Sequence, residues 1–285
     1  MTLNSYLLYN GSDKIIKQED RYNMKIAVTT TREADESLNK KAETIAQELN
    51  IPYIKRGNLS ITRTFLKGDY DYLMIVEKDK LVIKGKEDTT LFWHPNMAEL
   101  KINSIRNGNR EALSEACCVE EGDKILDCTL GLGGDSLVLA AVTGRKGYVV
   151  GTEVNKYIAY ITKNGLDSYN NDEGRTIDNM ADIEVVNESY EDYLAKQDDN
   201  SFDIVYFDPM FKNPNKKSTT INSFRSFADH KGLTKEVLAE ALRVCRKRVI
   251  IKERSGENDF HKLGIEKFIG GKRKGSIIYG VIEKI

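Results

Sequence analysis

A short apolar run, Lys124–Cys128, carries Asp127 near its end and passes directly into Thr129-Leu130-Gly131-Leu132-Gly133-Gly134, after which a helical pattern opens at Asp135 or Ser136. A strand that turns through glycines into a helix crosses back over its own sheet, and such a crossover returns the chain parallel to where it started. The residues that follow repeat the alternation. Strands are expected at Lys124–Cys128, Tyr148–Glu153, Ile183–Val186, Ile204–Phe207 and Val249–Lys252, with helices near Asp135–Val142, Lys156–Ser168, Tyr190–Lys196 and Lys235–Cys245. This order predicts an α/β fold, a mostly parallel sheet with helices on both faces. The last stretch, Gly264–Ile285, reads instead as two strands joined around Gly270-Gly271.

With 285 residues the chain has room for one large domain and a smaller one. Residues 1–23 are polar and aperiodic, which predicts a disordered extension or a leader ahead of a start at Met24. Residues 24–95 predict a small α/β amino-terminal domain. Its elements are a strand at Lys25–Thr30, a helix at Ala34–Leu49 with Leu38, Ala42, Ile45, Ala46 and Leu49 on one face, and short β-type runs at Ile51–Ile54, Tyr72–Val76, Leu81–Ile83 and Leu91–Trp93. Residues 96–122 predict a helical bridge, and 123–285 the main domain. No apolar run approaches the roughly 20 residues of a membrane helix. Cys117, Cys118, Cys128 and Cys245 contain no CxxC pair, as expected of reduced thiols in a cytoplasmic protein.

Glycines after the first main-domain strand let the backbone turn tightly and approach a ligand, and the helix that follows offers outward N–H donors. A dinucleotide fingerprint would place a third glycine where Ser136 stands. Asp127, close before the glycines, would repel a pyrophosphate and suits a ligand with a cationic amino-acid moiety. Glu153, at the end of the next strand, stands where an acid grips ribose hydroxyls. Together these predict S-adenosylmethionine as cofactor, held by Asp127, Thr129, Gly131, Gly133, Gly134, Asp135, Ser136 and Glu153. Asn187 or Glu188 could reach its adenine, although a helix cap at Ser189 explains the same residues nearly as well.

The fourth main-domain strand ends in Tyr206-Phe207-Asp208-Pro209-Met210-Phe211, at the carboxyl edge where such sheets bind ligands. An exocyclic amino group on a base is a poor nucleophile because its lone pair is delocalised. The Asp208 carboxylate and the Pro209 carbonyl could accept its N–H bonds and restore the lone pair, with Phe211 stacking on the base. Asp208 would also border the cofactor. The polar loop that follows, with Lys212, Lys216, Lys217 and Ser218, could hold a phosphate backbone, as could Arg243, Arg246, Lys247, Arg248, Lys252, Arg254, Lys272, Arg273 and Lys274. From Lys212 onward there are 18 Lys and Arg against 8 Asp and Glu, on a chain whose net charge is −1. That asymmetry suits a face that meets an anion, with nucleic acid as the leading candidate. Ordinary solvated charges would give the same count.

Met97 to Ile282 resembles the small-subunit ribosomal RNA guanine-N2 methyltransferases of the RsmJ type. The resemblance is carried by Arg110-Glu111-Ala112-Leu113, the loop from Asp127 to Asp135, Asp208-Pro209-Met210-Phe211 with Lys216-Lys217-Ser218, and Arg248-Val249-Ile250-Ile251-Lys252. From Met24 onward, including Phe92-Trp93-His94-Pro95-Asn96-Met97-Ala98, the chain is also similar to a group of bacterial YpiP-like proteins. The resemblance implies a Rossmann-like methyltransferase fold in which an antiparallel hairpin closes the sheet, S-adenosylmethionine as methyl donor, and ribosomal RNA as partner. The sequence departs from the RsmJ pattern at Asn103-Ser104-Ile105, at Gly134 and in its longer amino-terminal part. Methyl transfer to a small molecule or protein, or a non-catalytic RNA-binding module on the same fold, are the other readings. His94 and Trp93 are expected to be structural.

Overall fold

A computed structural model of the chain describes residues 24–86, 89–95, 97–171, 177, 179–209, 227, 232–256, 259–271, 273 and 275–284. Contacts divide it into two compact units. The smaller comprises the chain up to Lys78 and Val82–Leu91, the larger Asp79–Leu81 and Phe92–Ile285.

The smaller unit is built on a four-stranded sheet in the order β1 (Ile26–Thr30), β2 (Tyr72–Val76), β3 (Leu81–Gly85), β4 (Thr90–Phe92). β1 and β2 are parallel, and every residue of β1 is buried. The intervening helix α1 (Glu36–Leu49) buries Ala42, Ile45, Ala46 and Leu49, the three-and-four spacing of one helical face. The Asp35 carboxylate caps it by accepting from the Leu38 N–H at 2.8 Å. The expected run at Ile51–Ile54 forms no strand. It makes one isolated bridge, Tyr53 to Val28, before turning toward a short helix α2 (Ile61–Phe65) that the sequence did not announce.

The larger unit carries a seven-stranded sheet. In chain order its strands are β5 (Lys124–Asp127), β6 (Tyr148–Thr152), β7 (Asp182–Val186), β8 (Phe202–Phe207), β9 (Cys245–Arg254), β10 (Lys267–Gly270) and β11 (Ile277–Glu283). They lie side by side as β10-β11-β9-β8-β5-β6-β7. The five strands from β7 to β9 are mutually parallel, and β11 runs antiparallel between β9 and β10. This is the mostly parallel sheet with a closing antiparallel hairpin. β10 ends at Gly270 and the turn toward β11 opens at Gly271, both with positive φ, so the hairpin turns at the expected glycines. The chain leaves β5 toward one edge and returns on its other side at β8, so the order reverses between these two central strands.

Alternate strand residues face opposite layers, which is why the central strands are apolar throughout. Ile125, Val149, Ile204, Tyr206 and Ile250 pack with α3 (Met97–Arg106), α4 (Ala112–Cys117), α5 (Gly134–Thr143) and α6 (Lys156–Asn170). Leu126, Val150, Val205, Phe207 and Val249 pack with α7 (Tyr190–Ala195), α8 (Lys235–Val244) and α9 (Asp259–Leu263). The expected helical bridge is α3 and α4, and Ala98, Ile102, Leu113 and Ala116 take part in the core of the larger unit. Polar residues cap several of the helices. The Asn155 carbonyl oxygen accepts from the Tyr157 N–H at 3.0 Å, and the Ser189 hydroxyl accepts from the Asp192 N–H at 3.1 Å. All four cysteines are free thiols. Among the described residues no helix is long and apolar enough to cross a membrane.

Trp93 packs on Tyr169 with ring centroids 5.7 Å apart and lies over Gly165 in the middle of α6. Replacing a mid-helix glycine with alanine ordinarily stabilises by about 0.5–1 kcal/mol. At Gly165 the new Cβ would stand 2.2 Å from the Trp93 ring, in contact with a rigid indole. Gly165→Ala is therefore expected to destabilise the protein by about 1–3 kcal/mol, measured as a lower urea midpoint at unchanged slope; a raised midpoint would refute the packing argument.

Candidate active site

The first turn after β5 is shaped by three side chains. Asp127 is buried at 2 % exposure, and its carboxylate accepts from the Ser136 hydroxyl at 2.6 Å and from the Thr129 N–H at 3.0 Å. Glu153, just past β6, is also buried. Its two oxygens accept from the Gly131 N–H at 3.1 Å and the Asn155 N–H at 2.7 Å. The loop is thus anchored from the neighbouring strand as well as its own. Gly133 adopts φ 72° as the residue before α5, a left-handed conformation that side chains with a Cβ resist. Leu130 reaches over β6, where a Cβ on Gly151 would come within 2.4 Å of it.

The second loop leaves β8. The Asp208 N–H donates to the Thr129 hydroxyl at 2.5 Å, joining the end of β8 to the loop after β5. The Lys252 ammonium, on β9, sits between two carboxylates, donating to Asp208 at 2.6 Å and to Asp135 at 2.7 Å. Asp135, in the first turn of α5, also accepts from the Tyr206 hydroxyl at 2.7 Å and from Lys101 at 3.0 Å. Burial opposes the Lys252 charge, but the Asp208 and Asp135 carboxylates outweigh it and raise its pKa. Burial likewise opposes charge on Asp135, but Lys252 and Lys101 together hold its carboxyl well below the ordinary range.

These groups border one cavity of about 560 Å³, large enough for a nucleoside-sized ligand. Asp127, Thr129, Leu130, Gly131, Leu132, Gly134 and Asp135 line one side. Asp208 and Pro209 line another, with Lys101, Glu111, Tyr206, Lys252, Arg254, Ile277 and Tyr279 around them. It lies at the carboxyl ends of β5 and β8, where the strand order reverses and open α/β sheets take ligands.

The residues singled out in the sequence divide into three groups. Asp127, Thr129, Gly131, Gly134, Asp135, Asp208 and Pro209 meet at the cavity. Gly133, Ser136, Glu153, Asn187 and Glu188 are not among its lining residues. Ser136 is wholly buried beneath Asp127, Glu153 braces the glycine loop, the Asn187 amide donates to the Glu153 and Val154 carbonyls at 2.7 and 3.2 Å, and Glu188 pairs with Lys196. The cap at Ser189 is present. Phe211, Lys212, Lys216, Lys217 and Ser218 lie outside the described residues, as do Lys272 and Lys274.

The basic third of the sequence is not an open phosphate-binding stripe along β9. Arg243 pairs with Asp199 at 2.7 Å and Glu240 at 2.9 Å, Arg246 with Asp203 at 3.4 Å, and Arg248 with Glu283 at 3.6 Å. Lys247 pairs with Asp123 at 2.7 Å and with Glu120. These four lie before or at the start of β9, at the edge of the sheet opposite the cavity. Lys252 and Arg254, farther along β9, border the cavity instead, and the Lys252 ammonium is itself engaged by Asp135 and Asp208. A count along the chain cannot see acids supplied by other strands.

Burial pushes the Asp127 carboxyl up to about 7, against the hydrogen bonds from Ser136 and Thr129. A carboxyl whose folded pKa exceeds its unfolded value of about 3.9 binds more protons when folded, so stability falls as pH rises between the two values. Asp127→Asn removes that loss. In the unliganded protein its stability relative to the parent is expected to increase from about pH 4 to about pH 7 and then level off, by at most roughly 4 kcal/mol. Urea unfolding at about pH 5 and about pH 8 checks this, and a pH-independent difference would remove Asp127 as the cause.

A family model described as "Putative SAM-dependent methyltransferase" matches residues 65–279. The Bacillus subtilis (strain 168) protein YpiP is 33% identical over 257 residues, covering 90% of this chain and 98% of its own. A protein named Ribosomal RNA small subunit methyltransferase J, from Thioalkalivibrio sulfidiphilus, is 26% identical over 235 residues, 78% of this chain and 85% of its own. A SAM-dependent methyltransferase from Neisseria gonorrhoeae shares the fold, with a TM-score of 0.60 at 16% identity, over 90% of this chain and 96% of that one. The chain belongs to the SAM-dependent methyltransferase family, and S-adenosylmethionine is its cofactor.

Proposed function

We propose that the protein methylates an exocyclic amino group of a nucleic-acid base, with guanine N2 of ribosomal RNA as the favoured acceptor. The observation that carries this reading is Asp208-Pro209 at the end of β8, bordering the same cavity as the glycine loop and tied to it through Thr129. Distant relatives named as small-subunit ribosomal RNA methyltransferases support the choice of RNA.

The lining fits the cofactor by its chemistry. Asp127, buried with a raised pKa at the cavity wall, would meet the cofactor's ammonium, whose charge favours the ionised carboxylate. Gly131, Gly134, Thr129 and the first turn of α5, with Asp135, would surround the amino-acid end. Gly133, Ser136 and Glu153 would serve by holding that loop in shape, and Asn187 and Glu188 by shaping the adenine end. Bound S-adenosylmethionine would supply an electrophilic sulfonium methyl, with the neutral thioether as leaving group that keeps the electron pair of the broken S–C bond.

Asp208 and the Pro209 carbonyl would accept the two N–H bonds of the acceptor amine and free its lone pair for in-line attack. The nitrogen gains a bond and a positive charge, and Asp208 would take the proton it then sheds. Phe211 would stack on the base, and Lys212, Lys216, Lys217 and Ser218 would hold the adjoining backbone. Lys101 and Lys252 are both engaged by carboxylates, which favours a second reading in which the acceptor is a small molecule or a protein.

The purified protein is expected to transfer methyl groups to RNA from cells lacking its gene and not to RNA from cells carrying it, with one base amine accounting for the difference. Asp208→Ala should lower kcat by about 100- to 1,000-fold. A methylation map of cellular RNA that is identical with and without the gene would turn the assignment toward the second reading.

A further inference from the structure

We infer that Lys252 is a positioning residue for methyl transfer: its ammonium, held between the Asp208 and Asp135 carboxylates, fixes the Asp208 carboxylate toward the acceptor and ties it to the helix that opens on the cofactor loop. The inference rests on the reading of Asp208 as the group that meets the acceptor amine. It concerns which residue prepares that group.

The geometry is specific. Lys252 contacts one oxygen of each carboxylate, Asp208 Oδ2 at 2.6 Å and Asp135 Oδ2 at 2.7 Å, so the second Asp208 oxygen is left to be turned elsewhere. The three side chains are 14 %, 29 % and 13 % exposed for Lys252, Asp208 and Asp135, which keeps solvent from screening the pair and leaves Asp208 the most accessible. Asp135 is itself fixed by Tyr206 and Lys101 and cannot swing to follow a displaced lysine. The position on β9 makes the arrangement rigid. Lys252 lies opposite Tyr279 on β11, and the preceding residue Ile251 pairs with Phe207 on β8, immediately before Asp208. A lysine on a mobile loop could not hold one carboxylate rotamer in this way.

Charge makes Lys252 necessary as well as convenient. Asp208 faces Asp135 from α5 and Asp127 from β5, with Lys101 from α3, Tyr206 from β8 and Tyr279 from β11. Burial pushes the Asp208 carboxyl up, and the Lys252 ammonium pulls against it. Without that ammonium two neighbouring carboxylates would share a poorly hydrated corner, and one would retain a proton. A protonated Asp208 has one acceptor fewer for the amine and no capacity to take its proton.

Lys252→Met keeps the stem of the side chain, one atom shorter, and removes the charge. With RNA from cells lacking the gene as acceptor, kcat should fall about 100-fold while the KM for RNA and the Kd for S-adenosylhomocysteine stay within about threefold. The acid limb of the kcat–pH profile should move up by about one unit or more. Lys252→Arg retains charge but not the compact ammonium, and should lose about tenfold in kcat with its acid limb in place. A role confined to stability would lower the melting temperature of both variants and leave the limb of Lys252→Met where it was, which would overturn the inference. If Lys252→Met does not fold, Lys252→Arg decides, and an acid limb that moves although the charge is kept overturns it. If the parent protein methylates no RNA, the acceptor assignment fails on its own account. Carbon-13 titration of the Asp208 carboxyl then judges Lys252, with a rise of about one unit in Lys252→Met upholding its role and an unchanged value overturning it.

Discussion

One buried ammonium joins the two halves of the site. Lys252 touches a carboxylate from the helix after β5 and another from the loop after β8, and without it those two acids would repel each other across a poorly hydrated gap. Thr129 makes a second joint a short distance away, accepting from the Asp208 backbone while its own N–H donates to Asp127. The glycine loop and the reaction loop are therefore a single construction. The sheet makes this possible by reversing its strand order between β5 and β8, which brings the ends of two strands together that are far apart along the chain.

Much of the fold was legible because it rests on local periodicity. β5 through β9 and α5 through α8 show either a continuous apolar run or a helical face, and the glycines at 131, 133 and 134 mark the one place where strand must become helix at once. The elements that escaped are short. α2 and α9 are five residues each, too brief for a repeat of apolar positions to declare itself. Ile51–Ile54 has strand-like composition, yet whether it pairs is decided by the neighbouring strand, which offers it a single bridge.

Within the site, residue types were readable and their employment was not. Asp127, the glycines and Asp208 declared themselves by lying at strand ends. Ser136 looked like a missing glycine, and in the structure it is a hydroxyl aimed at Asp127. Glu153 looked like a ribose acid, and its oxygens hold backbone N–H groups. Lys252 looked like one more basic residue among many. A signal was available: it ends the run Val249-Ile250-Ile251 in a strand whose faces are both covered, where an ammonium must have partners. Those partners stand 117 and 44 residues away, and only the register of the sheet reveals them.

The contact between Leu130 and Gly151 reaches beyond this one site. A loop that binds a ligand is usually regarded as a set of interchangeable letters on a fixed scaffold, yet this loop uses the bare backbone of the next strand as its seat. A designer who varied residues 129–134 to admit an enlarged cofactor analogue, holding the strand constant, would be changing half of a lock-and-pin joint. Positions 130 and 151 form one design variable, in which bulk added on either side must be removed from the other.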